Sequence, residues 1–323
     1  MSEHKQNQST SSQTTRSQHS HNRTAHNQPT NRTANNKTTN QRASRSRIAH
    51  ETLAILEQGS YVNSYDRNVW IDEEKQYAIQ HSVLYRPAEL QSLKDPLKQS
   101  ALSAKPSSTI IEVTGETTLA AAARLVTDEQ LKDVVCLNFA SAKNPGGGFL
   151  GGSQAQEESL ARATGLYPCI AQMTEMYEHN RKLRTCLYSD HMIYSPAVPV
   201  IRDDQDRLLD KPYCTAFITA PAVNAGVVRA REEADDQVIE SVMKQRIRYI
   251  LDVAVARGHR TIVLGAFGCG VFRNDPVQVA KFFHDVLVQE HYREAFERVV
   301  FAVFDRTKGQ STLDAFQQRF VGA

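Results

Sequence analysis

From Ile48 onward the chain switches repeatedly between short apolar runs and longer amphipathic stretches. The runs in "STIIEVTG", "DVVCLNFA", "CTAFITAPAVN", "RTIVLGAF" and "RVVFAVFD" are rich in branched and aromatic side chains and end at polar or glycine positions. That pattern predicts strands buried on both faces. Between them, "ETTLAAAARLVTD", Glu157–Thr164, Glu232–Arg257, "DPVQVAKFFHDVLVQE" and "TLDAFQQRF" carry apolar residues at helical intervals. "HMIYSPAVPVIRD" reads as strand material around a proline turn, and "VLYRP" as a short strand ending in a turn. "RIAHETLAILEQG" sets Ile48, Leu53, Ile55 and Leu56 near helical spacing and stops at Gly59. Residues 88–108 read as a polar connector with helical potential. The alternation predicts an α/β layered domain on a mixed, largely parallel sheet, with no internal repeat.

Before Ile48 the pattern vanishes. Residues 1–46 are Ser, Thr, Asn, Gln and His with scattered Arg, too poor in apolar side chains to offset the entropy of ordering. They are expected to be a disordered, polar and basic tail. Through Arg47 the only acid is Glu3, against Lys5, Arg16, Arg23, Arg32, Lys37, Arg42, Arg45 and Arg47. The overall charge of +2 therefore hides a tail of about +7 on a body of about −5. A solvated tail is the plainer reading. A loose polyanion tether is the functional one, and an organellar transit peptide lacks the required apolar face. The slightly acidic body does not read as a nucleic-acid-binding domain. The organisation expected is a tail (1–46), a helical extension packed on the core (47–108) and a catalytic α/β domain (109–323).

Cys136, Cys169, Cys186, Cys214 and Cys269 are odd in number and form no CxxC pair. They read as reduced, mostly buried thiols of a cytoplasmic protein. No apolar stretch is long enough to span a membrane, and no signal-peptide core opens the chain. His81, His179, His191, His259, His284 and His291 show no metal-ligand spacing, so neither metal nor cofactor is expected.

In α/β sheets a ligand sits beyond the C-terminal strand ends. "VVCLNFA" exits into "SAKNPGGGFLGGSQAQEE", and "IVLGAF" into "GCGVFRNDP". Both exits are glycine-rich loops that lead into helices. Such loops let backbone N–H groups approach phosphate oxygens, and a helix N-terminus adds its dipole. Neither loop is a GxxxxGK[ST] P-loop, and neither gives GxGxxG in its dinucleotide setting.

Glu157 and Glu158 have a plain reading as first-turn acids that complement a helix dipole. Successive helical residues diverge by about 100°. The two therefore do not face one bond from opposite sides, as a conventional glycosidase pair does. If both act, they act differently. A helix N-terminus favours the ionised carboxylate, so a proton donor there needs burial or substrate contact.

"GGG" at Gly146–Gly148, then seven residues, then "QEE" at Gln156–Glu158 resembles the signature of poly(ADP-ribose) glycohydrolases. The flanking "LNFASAKNPGGGFLGG" and "QEESLARATGLYP" are similar to the short bacterial type of that family, over about residues 46–323. The resemblance implies a macrodomain-like three-layer α/β/α fold with a mixed sheet and an N-terminal helical extension. It implies hydrolysis of ribose–ribose O-glycosidic bonds to release ADP-ribose. A short chain with little capping structure suggests attack at chain ends, with exo and endo action both open at this point. Glu158 would be the catalytic acid, and Glu157 would hold ribose hydroxyls. Gly146, Gly147 and Gly148 would wrap the diphosphate and distal ribose with their N–H groups. Asn138 and Asn144 would fix the loop or touch that ribose, with Gln156 supporting the loop. Gly268, Gly270, Val271 and Phe272, with Asn274, would close over the diphosphate. Phe304 would stack on adenine, and Glu112 and Thr117 would reach the adenine edge.

Phe304 also has a plain reading as core. Cys269 lacks a nearby His or Asp partner and reads as a small loop residue rather than a nucleophile. Two other activities stay open at this point. One is removal of ADP-ribose from a protein or nucleic acid, and the other is ADP-ribose binding without cleavage, which has no need of QEE. The expected partner is poly(ADP-ribose) or an ADP-ribosylated protein. No obligatory nucleic acid and no membrane are expected, and the chain reads as a monomer.

Overall fold

A computed structural model describes residues 30–93 and 109–322, with side chains from Thr39 onward. The chain divides into a unit ending at Thr39 and a compact unit of Asn40–Ala323.

Among the described residues, nine strands lie in two sheets: β1 (Ser60–Val62), β2 (Asn68–Trp70), β3 (Val83–Tyr85), β4 (Ile110–Thr114), β5 (Val134–Phe139), β6 (Met192–Arg202), β7 (Leu208–Ala220), β8 (Thr261–Leu264) and β9 (Arg298–Ala302). β1 and β2 form an antiparallel hairpin that the apolar pattern does not signal. The other seven form one sheet in the order β3-β6-β7-β5-β8-β9-β4. The run β7-β5-β8-β9-β4 is parallel, and β6 and β3 are antiparallel additions, so the sheet is mixed as expected.

Alternate residues of the central strand face opposite layers. Val135 and Leu137 pack with Ile247, Ile250 and Phe283, from the helices Asp236–Ala256 and Pro276–His284. Val134 and Cys136 pack with Leu119, Leu160 and Ile170, from the helices Thr118–Ala123, Gln156–Ala163 and Leu166–Ala171. Both faces of β5 are thereby covered, which is why its sequence is apolar on both faces from Val134 to Leu137 rather than alternating. The result is the three-layer α/β/α arrangement expected from the sequence.

Four local expectations change. The first helix runs Thr30–Gln58 rather than starting near Ile48. Residues 40–46, expected in a disordered tail, are helical because their side chains find acceptors far along the chain. Residues 1–29 of that expected tail lie outside the described residues. β6 passes through Pro196 and Pro199 without a turn: Pro196 sits in a register shift against β7 between Ser195 and Val198, and Pro199 pairs in register with Cys214. Two helices differ from the expectation: Asp72–His81 has a weak apolar pattern, and Thr174–Lys182 carries only Met176 and Tyr177 as apolar residues. Finally, β3 pairs with β6, so the expected helical extension also supplies an edge strand. The connector expected at 88–108 opens with the helix Pro87–Ser92, and residues 94–108 lie outside the described residues.

Candidate active site

The glycine loop leaves β5 and turns back on itself. Gly147 N–H donates to the Asn144 carbonyl at 3.0 Å, and a 3-10 turn follows at Phe149–Gly151. The helix Gln156–Ala163 then begins at the C-terminal edge of the sheet. Gln156 pins it there. Its Oε1 accepts from Phe139 N–H at 2.8 Å, and its Nε2 donates to the Leu137 carbonyl at 2.7 Å and to Thr118 Oγ1 at 3.1 Å. With every amide atom bound to protein, Gln156 supports the loop.

The adjacent glutamates enter unlike surroundings. Glu157 is only 3% exposed. Its carboxylate accepts from Ser141 N–H at 2.7 Å, Gly146 N–H at 3.2 Å and Asn138 Nδ2 at 3.5 Å. Burial pushes its carboxyl up to about 8; the Ser141 N–H opposes that rise and the charge of Glu158 adds to it. Glu158 is half-buried, and its Oε1 accepts from Gly148 N–H at 3.1 Å. Gly147, at φ +58°, lies against both: a Cβ there would fall 2.5 Å from Glu158 Oε1 and 3.3 Å from Glu157 Oε2.

The three glycine N–H groups are therefore occupied. Gly146 N–H holds Glu157, Gly147 N–H the Asn144 carbonyl and Gly148 N–H Glu158. The physical reason is the tight turn, which folds the triplet's amides back on the two carboxylates. Free donors lie instead on the second loop. Among the described residues, no protein acceptor takes the N–H groups of Gly270, Val271 or Phe272, and Val271 is 80% exposed. Gly268 adopts φ +75°, and buried Asn274 ties the loop to its scaffold through Nδ2, donating to the Val223 carbonyl at 2.8 Å and the Gly268 carbonyl at 3.0 Å. Asn274 is thus a loop clamp. Burial pushes the Cys269 thiol far up, so no ready thiolate nucleophile stands there.

Tyr188 bridges the two loops: Lys143 Nζ lies 5.9 Å from its ring centroid, and Phe272 packs on it at 5.9 Å. Sequence reasoning missed Tyr188 and Lys143. It also missed Tyr177, a buried phenol pushed well up by burial and then by the charge of Glu157. Only the positive φ of Tyr188 would have marked it, and that is invisible in sequence.

Asn138 is fully buried; its Nδ2 donates to Thr219 Oγ1 at 3.1 Å, and its Oδ1 has no partner among the described residues. Asn144 is exposed at the loop rim. Phe304 is 51% exposed at the β9 exit, with the Arg306 guanidinium 4.7 Å from its ring centroid, so it is not core. Glu112 and Thr117 both have partners within the protein. Glu112 pairs with Arg124 and Arg298, each at 3.3 Å. Thr117 caps the helix Thr118–Ala123 and donates to Asp204 Oδ2 at 2.6 Å.

A family model described as "Microbial-type PARG, catalytic domain" matches residues 49–203. The chain is 46% identical to the poly(ADP-ribose) glycohydrolase of Thermomonospora curvata, covering 86% of this chain and 100% of that one, with a TM-score of 0.81. The same enzyme bound to the inhibitor ADP-HPD matches at 45% identity over the same shares, with a TM-score of 0.79. The Deinococcus radiodurans enzyme in complex with ADP-ribose is 43% identical over 77% of this chain and 97% of that one, with a TM-score of 0.71. No curated protein sequence matches. At this identity over the whole length of a relative, the chain belongs to the microbial poly(ADP-ribose) glycohydrolase family.

Proposed function

We propose that this member of the poly(ADP-ribose) glycohydrolase family hydrolyses the ribose–ribose O-glycosidic bond of poly(ADP-ribose), releasing ADP-ribose from chain ends. The observation that carries the reading is the unlike seating of two adjacent carboxylates on one glycine turn. Glu158, half-buried and held by a single amide, is the catalytic acid. It protonates the leaving 2′-oxygen as an oxocarbenium-like centre develops, then activates water for attack on that centre. Glu157, buried and held from both oxygens, orients ribose hydroxyls. The unpartnered Asn138 Oδ1 supports a contact to the same ribose.

The diphosphate belongs to the second loop, whose free N–H groups at Gly270, Val271 and Phe272 form an anion-binding nest. Half-exposed Phe304 offers adenine a stacking face. No helix among the described residues is long and apolar enough to cross a membrane. The five unpaired thiols support a reducing, cytoplasmic location.

The test is incubation of the purified chain with poly(ADP-ribose) and, separately, with a mono-ADP-ribosylated protein, followed by chromatography. Release of ADP-ribose from the polymer is expected. Release from the mono-modified protein alone identifies a mono-ADP-ribosyl hydrolase, and binding without release identifies a reader. Either result overturns the proposal.

A further inference from the structure

The helix Thr30–Gln58 grips the distal half of the glycine loop with three consecutive contacts. Arg42 Nε donates to the Gly151 carbonyl at 2.8 Å, Arg45 Nε to the Gly152 carbonyl at 2.8 Å, and Ser46 Oγ to the Leu150 carbonyl at 2.6 Å. Contact is close enough that a Cβ on Gly152, at φ +73°, would collide with the Arg42 carbonyl. The gripped segment leads directly to Glu158. Gly151 N–H and Ser153 N–H both donate to the Gly148 carbonyl, at 3.1 and 3.2 Å, while Gly148 N–H holds Glu158 Oε1 at 3.1 Å.

Further along, the same helix holds the helix that carries Glu158. Ala49 packs with Phe149 and Ala161, and Thr52 Oγ1 donates to the Arg162 carbonyl at 2.6 Å. Arg162 in turn reaches back to the Ser153 carbonyl at 2.9 Å. One rigid element therefore spans the loop and the catalytic helix, and sets the spacing between them. The family match begins at Ala49, beyond Arg42, Arg45 and Ser46.

We propose that Arg42, Arg45 and Ser46 are positioning residues for Glu158, acting through the Leu150–Gly152 carbonyls and the Gly148 peptide. The inference rests on the functional reading above. Glycine-dense backbone has the most conformational freedom to lose, so it needs an external hold to keep one geometry. Released from that hold, the turn samples conformations in which Gly148 no longer presents its N–H to Glu158. Small misplacements of a catalytic group are costly in rate.

The test uses the full chain with Arg42→Ala/Arg45→Ala, with Gly152→Ala, and with all three changes combined. For the double variant, kcat on poly(ADP-ribose) is expected to fall about 10- to 100-fold, with KM within about twofold. Gly152→Ala pushes the helix off from the other side and gives a similar loss, and the triple variant is no worse than the more impaired parent. Amide hydrogen exchange over residues 147–153 is expected to quicken in the double variant, a readout that needs no turnover. Unchanged kcat, unchanged exchange or multiplying losses overturn the proposal. So does a salt-sensitive rise in KM at constant kcat, which would make the arginines a polyanion-binding arm. A wild-type chain that releases no ADP-ribose instead overturns the functional reading, and the exchange result still decides whether the arginines hold the loop.

Discussion

Gly147 occupies the space beside the Glu158 carboxylate, where a Cβ would stand 2.5 Å from Oε1. Gly147→Ala therefore both strains a left-handed residue and displaces the carboxylate. A left-handed alanine costs about 1–2 kcal/mol, so a melting temperature lowered by a few degrees is expected. Turnover should fall about 10- to 100-fold, with ADP-ribose affinity at the second loop largely kept. Kinetics beside calorimetric titration with ADP-ribose check this; wild-type turnover would show that the carboxylate does not need that space.

Glu158→Gln keeps the side chain's shape and its acceptor for Gly148 N–H while removing the transferable proton. General acid–base groups contribute about 10²–10⁴-fold, and a loss of that size is expected with ADP-ribose binding intact. Retained activity would mean the proton comes from elsewhere.

Glu157 links stability to pH. Its carboxyl stands near 8 in the folded chain against an ordinary 4.5. Between those values the folded state holds a proton that the unfolded state has released. Its contribution is full below pH 4.5 and is lost as pH rises through about 8. Thermal melts across that range should show wild type losing stability relative to Glu157→Gln. Parallel pH curves for the two proteins would refute the assignment.

Val271→Pro removes one N–H from the second loop, while Val271→Ala removes only an exposed side chain. A charge-assisted hydrogen bond of about 1.5–3 kcal/mol corresponds to roughly 10-fold or more in affinity. ADP-ribose titrations should show that loss for proline and wild-type binding for alanine. Equal affinities would place the diphosphate elsewhere.

Phe304→Ala should weaken ADP-ribose binding by about 5- to 100-fold, as loss of one base–aromatic stack does, at about 1–3 kcal/mol. Its half-exposed ring contributes little to the core, so the melting temperature should hold. A collapse in stability with unchanged binding would return Phe304 to a packing role.

Much of the fold was legible because it is written locally. β5, β8 and β9 follow from apolar runs that only a sheet covered on both faces can bury, and Gln156–Ala163 follows from a glycine exit running into an amphipathic stretch. Asp72–His81 and the β1–β2 hairpin have no comparable pattern, and Thr174–Lys182 has only two apolar residues to signal it. Their stability comes from contacts such as Lys75 Nζ donating to the Leu56 carbonyl at 2.6 Å.

The sequence by itself determined that Glu157 and Glu158 diverge, since neighbours on a helix turn by about 100°. It determined that a glycine turn precedes them and that a second glycine loop leaves another strand. Only the tertiary structure decided which carboxylate is buried, because that depends on where the pinning of Gln156 sets the helix's rotation against β5. It also decided that the glycine amides hold the glutamates while the second loop keeps its donors free. The helical state of residues 40–46 was settled in the same way. Their polar side chains bury little of their own, and the carbonyls that order them lie 104 to 109 residues along the chain, beyond the reach of any local pattern.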